Sequence, residues 1–283
     1  VKLARYSIGT APARLGKIVG NAIIDLHDAV PSAGGSMRRL LEQYAERHDA
    51  LVAADGVRHA LADVTLHAPI NDPQKFLAIG MNYQAHAAEA AAAGIATPKS
   101  QLWFNKQVSC INGPFADVDI PAASEQVDYE AELAFVIGRS CRRVSVEDAY
   151  SVVAGYMVCN DVTARDWQFR SPTYTLGKSF DTHGPIGPWL TTADEVPDPA
   201  SLEMVLTVNG EERQRSSSGD MIYDIPAQIA YLSTVMTLMP GDVIATGTPS
   251  GVGIASRRFL RDGDVVRVAI TGLGAIENRF RAS

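Results

Sequence analysis

The stretch Tyr129–Glu130–Ala131–Glu132–Leu133–Ala134–Phe135–Val136, continued by Ile137, reads as a β-strand with two acids at its leading end. Side chains at i and i+2 of a strand share a face. Leu133, Phe135 and Ile137 therefore fall on one face, and Glu130, Glu132, Ala134 and Val136 on the other. Strand glutamates that simply face water are the plain alternative. It is weakened here because the glutamates sit on a face that turns apolar further along. Two carboxylates so placed repel unless a proton or a cation intervenes. About thirty residues later a second apolar run, Tyr156–Met157–Val158–Cys159–Asn160–Asp161, ends in a third acid. Three carboxylates without nearby Cys or His suit a hard cation, Mg²⁺ or Mn²⁺, rather than zinc. Glu130, Glu132 and Asp161 are the candidate ligands of a metal-dependent enzyme.

Outward from this strand the chain is strand-rich with glycine and proline punctuation. EAELAFVIG, SVVAGYMVCND, SLEMVLTVNG, DVIATGT and VVRVAITG are broken by turns such as Asn209-Gly210, Pro240-Gly241 and Asp262-Gly263. Helices are expected over 36–54, capped by Ser36, and over the alanine-rich MNYQAHAAEAAAAGI at 81–95. Two more are expected over 145–151, with Ser145 and Asp148 as a capping box, and over 225–238. The alanine-rich helix buries little area per residue and is expected to be marginal in stability. Many strands with few crossover helices argue against a doubly wound sheet. A mixed α/β, β-rich fold fits, as a mixed-sheet barrel or folded sandwich. Residues 1–70, with short strands over 2–26 and 64–70, read as a small α+β N-terminal domain, and 71–283 as the main domain.

The 283 residues carry a net charge of −7 and a pI near 5.4, which disfavours a nucleic-acid partner. No stretch approaches eighteen apolar residues, so no membrane-spanning helix is expected. Three cysteines outside metal-knuckle spacing suit a reducing compartment, and the N-terminus shows no secretory signal, so a cytoplasmic location is expected.

Three further groups carry chemistry. His86 and Glu89 lie three apart on a helix, where a carboxylate orients an imidazole and raises its basicity as a general base; an exposed polar pair is the plain alternative. Lys178, in the turn-rich GKSFDTHGPIGP that follows Arg165-Asp166-Trp167-Gln168, is placed to hold a carboxylate or a developing oxyanion. The run Gly241 to Gly253, GDVIATGTPSGVG, is a strand entering a glycine-dense turn that can present backbone N–H groups to an anion, without P-loop order. GxSxG, HExxH and CxxC motifs are absent.

Together, AIGMNYQAHAAEA, LWFNKQVSCINGP, VDYEAELAFVIGR, GYMVCNDVTARDWQ, GKSFDTHGPIGPWL, NGEERQRSSSGDMIYDIPAQIAYLS and MTLMPGDVIATGTPSGVG resemble the fumarylacetoacetate hydrolase family in its shorter bacterial form, over roughly residues 75–255. The first seventy residues resemble only the loose small domain that such members carry. SSSGDMIYD after Arg215 departs from relatives, which often have Gly, Asn and Thr before DMI. The resemblance implies a main domain folded as the family's mixed β-sheet roll, a homodimer, and Glu130, Glu132 and Asp161 on the Mg²⁺ or Mn²⁺ ligands. It implies His86 and Glu89 as a catalytic dyad on a lid, and Lys178, Arg165, Gln168 and Thr248 along the substrate site. Asn82 and Tyr83 match the strand-to-lid entry and are expected to bind substrate. The implied reaction is hydrolysis of a C–C bond in a 2,4-dioxo acid, an acylpyruvate such as fumarylpyruvate, to pyruvate and a carboxylic acid, a step found in the catabolism of aromatic compounds. Oxaloacetate decarboxylation and 2-hydroxy-dienedioate isomerisation, which use the same enolate, are the alternatives.

Overall fold

A computed structural model of the chain describes residues 1–92, 94 and 98–283. Ala131–Ile137 is buried along its whole length in the middle of a 12-stranded mixed sheet. It pairs antiparallel with Val153–Asn160 on one side and with Val243–Ala245 on the other. Beyond Val243–Ala245 lie Phe76–Gly80, in a parallel pairing, and then Leu102–Lys106. Beyond Val153–Asn160 lies Gly184–Thr192, followed by the N-terminal strands Lys2–Ser7, Arg14–Val19, Ala22–Asp25 and Arg58–Ala60. A second, five-stranded sheet runs Glu211–Ser217, Glu203–Val208, Val265–Ile270, Gly274–Ala282 and Val118–Ile120.

The two faces of the central strand enter two different cores. Leu133, Phe135 and Ile137 pack with Leu206, Val268 and Ile276 of the second sheet and with Ile229 and Leu232 of the helix Ile225–Val235. Ala134 and Val136 join Leu3, Leu26, Met37, Leu40 and Leu51 from the N-terminal region. A sheet covered on both faces needs strands apolar on both faces. The run from Leu133 to Ile137 meets that demand, and the chain adopts the expected mixed α/β, β-rich fold with a smaller N-terminal α+β region.

Local boundaries differ from the expectations. The helix expected over 36–54 is two, Met37–Leu41 and Tyr44–Ala53. Ser36 caps the first, but at the break Gln43 turns its side-chain amide back onto the Arg39 carbonyl and the helix does not continue through it. The segment expected to be helical over 145–151 is a 3₁₀ turn at Ala149–Val152, and Ser145 and Asp148 bond each other just before it. The alanine-rich helix spans Gln84–Ala92, because Met81 takes a left-handed φ of 54° and starts the helix late. The end of that expected helix, residues 93 and 95, lies outside the described residues. The expected 64–70 strand is only Thr65–His67, and the 225–238 helix ends at Val235. Ile111–Asn112 forms a short parallel pairing with Gly184–Thr192. Cys110, Cys141 and Cys159 are free and buried. Among the described residues no helix is long and apolar enough to cross a membrane.

Candidate active site

The antiparallel register pairs Ala131 with Asn160, which sets Glu130 opposite Asp161 and two residues from Glu132 on one face. The Asp161 N–H donates to the Glu130 carbonyl at 2.9 Å, and the Glu130 N–H to the Asn160 Oδ1 at 3.0 Å. One carboxylate oxygen from each of Glu130, Glu132 and Asp161 lies within 4.8 Å of the other two, and all three residues are buried.

Two of these acids are compensated and one is not. Glu130 meets Arg165 Nη1 at 2.7 Å and Lys178 Nζ at 2.6 Å. Asp161 meets Lys106 Nζ at 2.7 Å and Lys178 Nζ at 2.8 Å. Glu132 accepts the Gly247 N–H at 2.8 Å and pairs with no cationic side chain among the described residues. Burial alone raises the Glu130 carboxyl, but Lys178 and Arg165 outweigh it and hold the group down at about 2. Burial, with Asp161 and Glu130 adding like charge, pushes the Glu132 carboxyl well above the usual range. Counting Asp128, four buried carboxylates face three buried cations, Lys106, Lys178 and Arg165. One negative charge is left over on an all-oxygen donor set. A divalent cation fits that set and that charge, and the chemistry is that of Mg²⁺ or Mn²⁺.

Asp128 extends the acidic alternation one step earlier, Asp128-x-Glu130-x-Glu132, a signal present in the sequence but not read there. It clamps Arg165 Nε at 2.8 Å and takes the N–H groups of Gly253 and Ile254 at 2.7 and 2.9 Å. Lys106 was also missed. It sits in phase with buried Phe104 on Leu102–Lys106, and its ammonium donates to Asp161 and to the Lys178 carbonyl. Burial works against the Lys106 charge, but Asp161 reverses the balance and its pKa is raised.

The glycine-dense turn does present N–H groups to anions, and the anions are the protein's own. Gly247 serves Glu132, Gly251 serves Glu89 at 3.3 Å, and Gly253 serves Asp128. Gly247 has a φ of 93°, and a Cβ there would meet the Asn82 Cβ at 2.9 Å, so the close approach requires glycine. Gln214, also not read from the sequence, donates to Thr248 Oγ1 at 2.9 Å and accepts the Ala131 N–H.

Of the expected site residues, His86, Glu130, Glu132, Arg165, Gln168, Lys178 and Thr248 line one cleft of about 80 Å³. Glu89 stands behind His86, with Oε2 3.1 Å from Nδ1. Burial raises the Glu89 carboxyl, but the bonds from His86 and the Gly251 N–H overcome that and hold it low. With Nδ1–H given to an ionised Glu89, the Nε2 lone pair is the one left for a proton. Arg165 Nη2 is buried without a partner among the described residues. Asn82 and Tyr83 do not line the cleft. Asn82 is buried and bonds the backbone of Tyr223 and Thr246, and Tyr83 packs into the core.

Residues 75–281 match the fumarylacetoacetate (FAA) hydrolase C-terminal family. The chain is 42% identical over 288 residues to an oxaloacetate tautomerase, fahd2, mitochondrial, of Xenopus laevis, covering 98% of this chain and 89% of the relative. Among solved structures it is 36% identical to maleylpyruvate hydrolase from Sphingobium sp. SYK-6 in complex with manganese(II) and pyruvate, with a TM-score of 0.85 and 100% of both chains covered. It is 33% identical to a 2-hydroxyhepta-2,4-diene-1,7-dioate isomerase from Mycobacterium marinum, at a TM-score of 0.79, covering 100% of this chain and 98% of the other. On this extent of sequence and structural likeness, the chain belongs to the fumarylacetoacetate hydrolase family.

Proposed function

We propose that the protein is a divalent-metal-dependent hydrolase that cleaves the C3–C4 bond of a 2,4-dioxo acid, giving pyruvate and a second carboxylic acid. The observation that carries this reading is His86, backed by Glu89, on the wall of the cleft lined by Glu130 and Glu132 of the three-carboxylate cluster. A base beside that cluster suits activation of water for attack on the distal carbonyl.

In this reading Glu130, Glu132 and Asp161 hold Mg²⁺ or Mn²⁺, which when bound supplies a Lewis acid for a 2-oxo carboxylate and for enolate charge. His86 Nε2 takes a proton from water, and Glu89 stabilises the resulting imidazolium. Hydroxide adds to C4, the tetrahedral oxyanion collapses, and the C3–C4 electron pair leaves on C3 as the enolate of pyruvate. A proton delivered to C3 completes the products. The Lys178 ammonium neutralises developing negative charge. Arg165 Nη2, Gln168 and Thr248 Oγ1 offer polar contacts to the carboxylate end of the substrate. Asn82 and Tyr83 act from behind, Asn82 by seating the turn that carries Gly247. A homodimer belongs to the same reading and is tested by light scattering.

Likeness to an oxaloacetate tautomerase over 98% of the chain favours a second reading, keto–enol tautomerisation of oxaloacetate, in which the same base moves a proton at C3; decarboxylation of oxaloacetate would pass through the same enolate. Product analysis of the Mn²⁺-loaded protein separates these outcomes. Pyruvate with a second acid supports hydrolysis, pyruvate with CO₂ supports decarboxylation, and a product of unchanged mass supports tautomerisation. His86→Ala is expected to lower hydrolysis by about 10²-fold or more and to leave Mn²⁺ affinity unchanged. Loss of Mn²⁺ affinity in that variant, measured by calorimetry, would make His86 a ligand and sink its assignment as base.

A further inference from the structure

A second cavity, of about 610 Å³, lies behind the acid cluster and shares no lining residue with the cleft. Backbone alternation separates the two. Glu130 faces the cleft, and the Tyr129 side chain, one residue earlier, faces the cavity. Tyr129, Val208 and Leu260, all buried, give the cavity an apolar floor.

Four arginines, Arg213, Arg257, Arg258 and Arg261, line the same cavity. The carboxylates near them are three. Glu125 and Asp264 belong to the lining, and Glu211 pairs with Arg213 Nη2 at 3.0 Å and Arg258 Nη1 at 3.3 Å. Asp264 accepts the Asn209 side-chain amide and the Arg261 N–H, each at 2.8 Å. The Arg257 and Arg261 side chains pair with no carboxylate among the described residues. Arg213 Nε is buried with no partner among the described residues. A chain of net charge −7 thus gathers a local positive excess here. A buried N–H left without an acceptor is costly, and an anion from outside the chain would supply one. Guanidinium forks match both carboxylate and phosphate oxygens.

Cavity and cleft share one segment of backbone. The Tyr129 hydroxyl donates to the Gly251 carbonyl at 3.2 Å, and a Cβ on Gly251 would run into the Arg213 carbonyl. Gly251 is thus seated on two cavity residues, while its N–H serves Glu89. At Arg257, with a left-handed φ of 54°, the chain reverses. The Arg258 N–H returns to the Gly253 carbonyl at 2.9 Å, and the Gly253 N–H serves Asp128, which clamps Arg165.

The geometry points to a binding site for a small organic anion with two or more negative charges, a phosphomonoester or a di- or tricarboxylate. Arg213, Arg257 and Arg261 take its charge, and the floor of Tyr129, Val208 and Leu260 takes its apolar body. An anion held there braces the segment that grips Glu89 and Asp128.

Calorimetry on the Mg²⁺-loaded protein at fixed ionic strength tests the site. Phenyl phosphate and tricarballylate are the probes, and acetate is the singly charged control. At least one probe is expected to bind about tenfold or more tightly than acetate, since each charge-assisted hydrogen bond added contributes on that scale. Which probe leads separates phosphate from carboxylate chemistry. Changing Arg257→Gln and Arg261→Gln together is expected to weaken that binding by about tenfold or more and to leave Mg²⁺ affinity unchanged. Both positions are exposed, so the variant should fold; Arg213→Gln is the second variant. With the probe saturating, amide hydrogen exchange over residues 249–260 is expected to slow in the wild type and not in the double variant. Neither probe binding better than acetate overturns the inference. Wild-type affinity in the folded double variant also overturns it, by placing the anion elsewhere, as on Lys178 and Arg165. Unchanged exchange over 249–260 at saturation overturns the bracing of the segment.

Discussion

Replacing Glu132 with glutamine should separate stability from function. In the metal-free protein the Glu132 carboxyl accepts the Gly247 N–H at 2.8 Å and has two other acids within 4.8 Å, whose like charge outweighs the attraction of Lys178. Two like charges at that distance repel by about 3.5 kcal/mol at an effective dielectric of ~20. Burial and this repulsion raise its pKa in the folded state. Between the ordinary glutamate range and the raised value, the folded chain binds more protons than the unfolded chain. Metal-free stability is therefore full at low pH and is lost as pH rises through the folded pKa. Glutamine keeps the size and the acceptor for Gly247 but cannot ionise. Above the ordinary glutamate range the metal-free variant should melt at or above the wild type, with the decline toward higher pH flattened. The metal response should move the other way. At a hundredfold excess over Kd, Mn²⁺ stabilises the wild type by about 2.7 kcal/mol. At roughly 2–4 °C per kcal/mol for a chain of this size, that is about 5–10 °C in Tm. At the same Mn²⁺ concentration the variant should lose most of this shift, and metal-dependent turnover with it. Thermal melts with and without Mn²⁺ across pH, beside a turnover assay, read both halves. A variant that keeps the full Mn²⁺ shift and turnover, or that melts far below the wild type without metal at alkaline pH, refutes the reasoning.

Lys106→Met leaves Asp161 with Lys178 as its one cation and should cost about 3–5 kcal/mol, as removing one partner of a buried pair does. Urea denaturation measures it, and a loss below about 1 kcal/mol would mean that the pair contributes little. His183 is fully buried, its Nε2–H donates to the Asp119 carbonyl at 2.9 Å, and burial lowers its pKa from 6.5 to about 4. The unfolded chain therefore binds the proton first, and about 3 kcal/mol of stability present above the ordinary pKa is lost as pH falls through that interval. His183→Gln, which preserves the Nε2 donor, should flatten that acid limb in denaturation curves taken at several pH values; an unchanged limb would assign the acid sensitivity to other groups.

The metal cluster was legible because strand periodicity and antiparallel register act locally and act on side-chain direction. Once Ala131 pairs with Asn160, three acids must converge. The same rule held for Asp128, one alternation earlier, but an acid ahead of a strand reads as a turn residue. Lys106 was hidden for a different reason. A lysine ending a short strand is ordinarily exposed, and only the tertiary pairing with Asp161 gives it a reason to be buried. Long-range partners also decide Asn82, whose side-chain bonds reach Tyr223 and Thr246, far along the chain. The glycine turn was readable as an anion binder from composition, whereas the identity of its anions depended on how Gln84–Ala92 and Val127–Asp128 fold back onto it.

That turn has a consequence for how the protein can change over generations. One short segment grips Glu89, Asp128 and Glu132, which come from two separate parts of the chain. A mutation that shifts it disturbs Glu89 behind His86, the arginine clamp and the candidate metal ligand together, so single steps toward a new geometry there are penalised three times over. Phe169 and Tyr174 line the same cleft, and among the described residues their side chains bond none of these acids. Divergence toward new substrates has an open route through those two rings, while the acid cluster is inherited as one indivisible part.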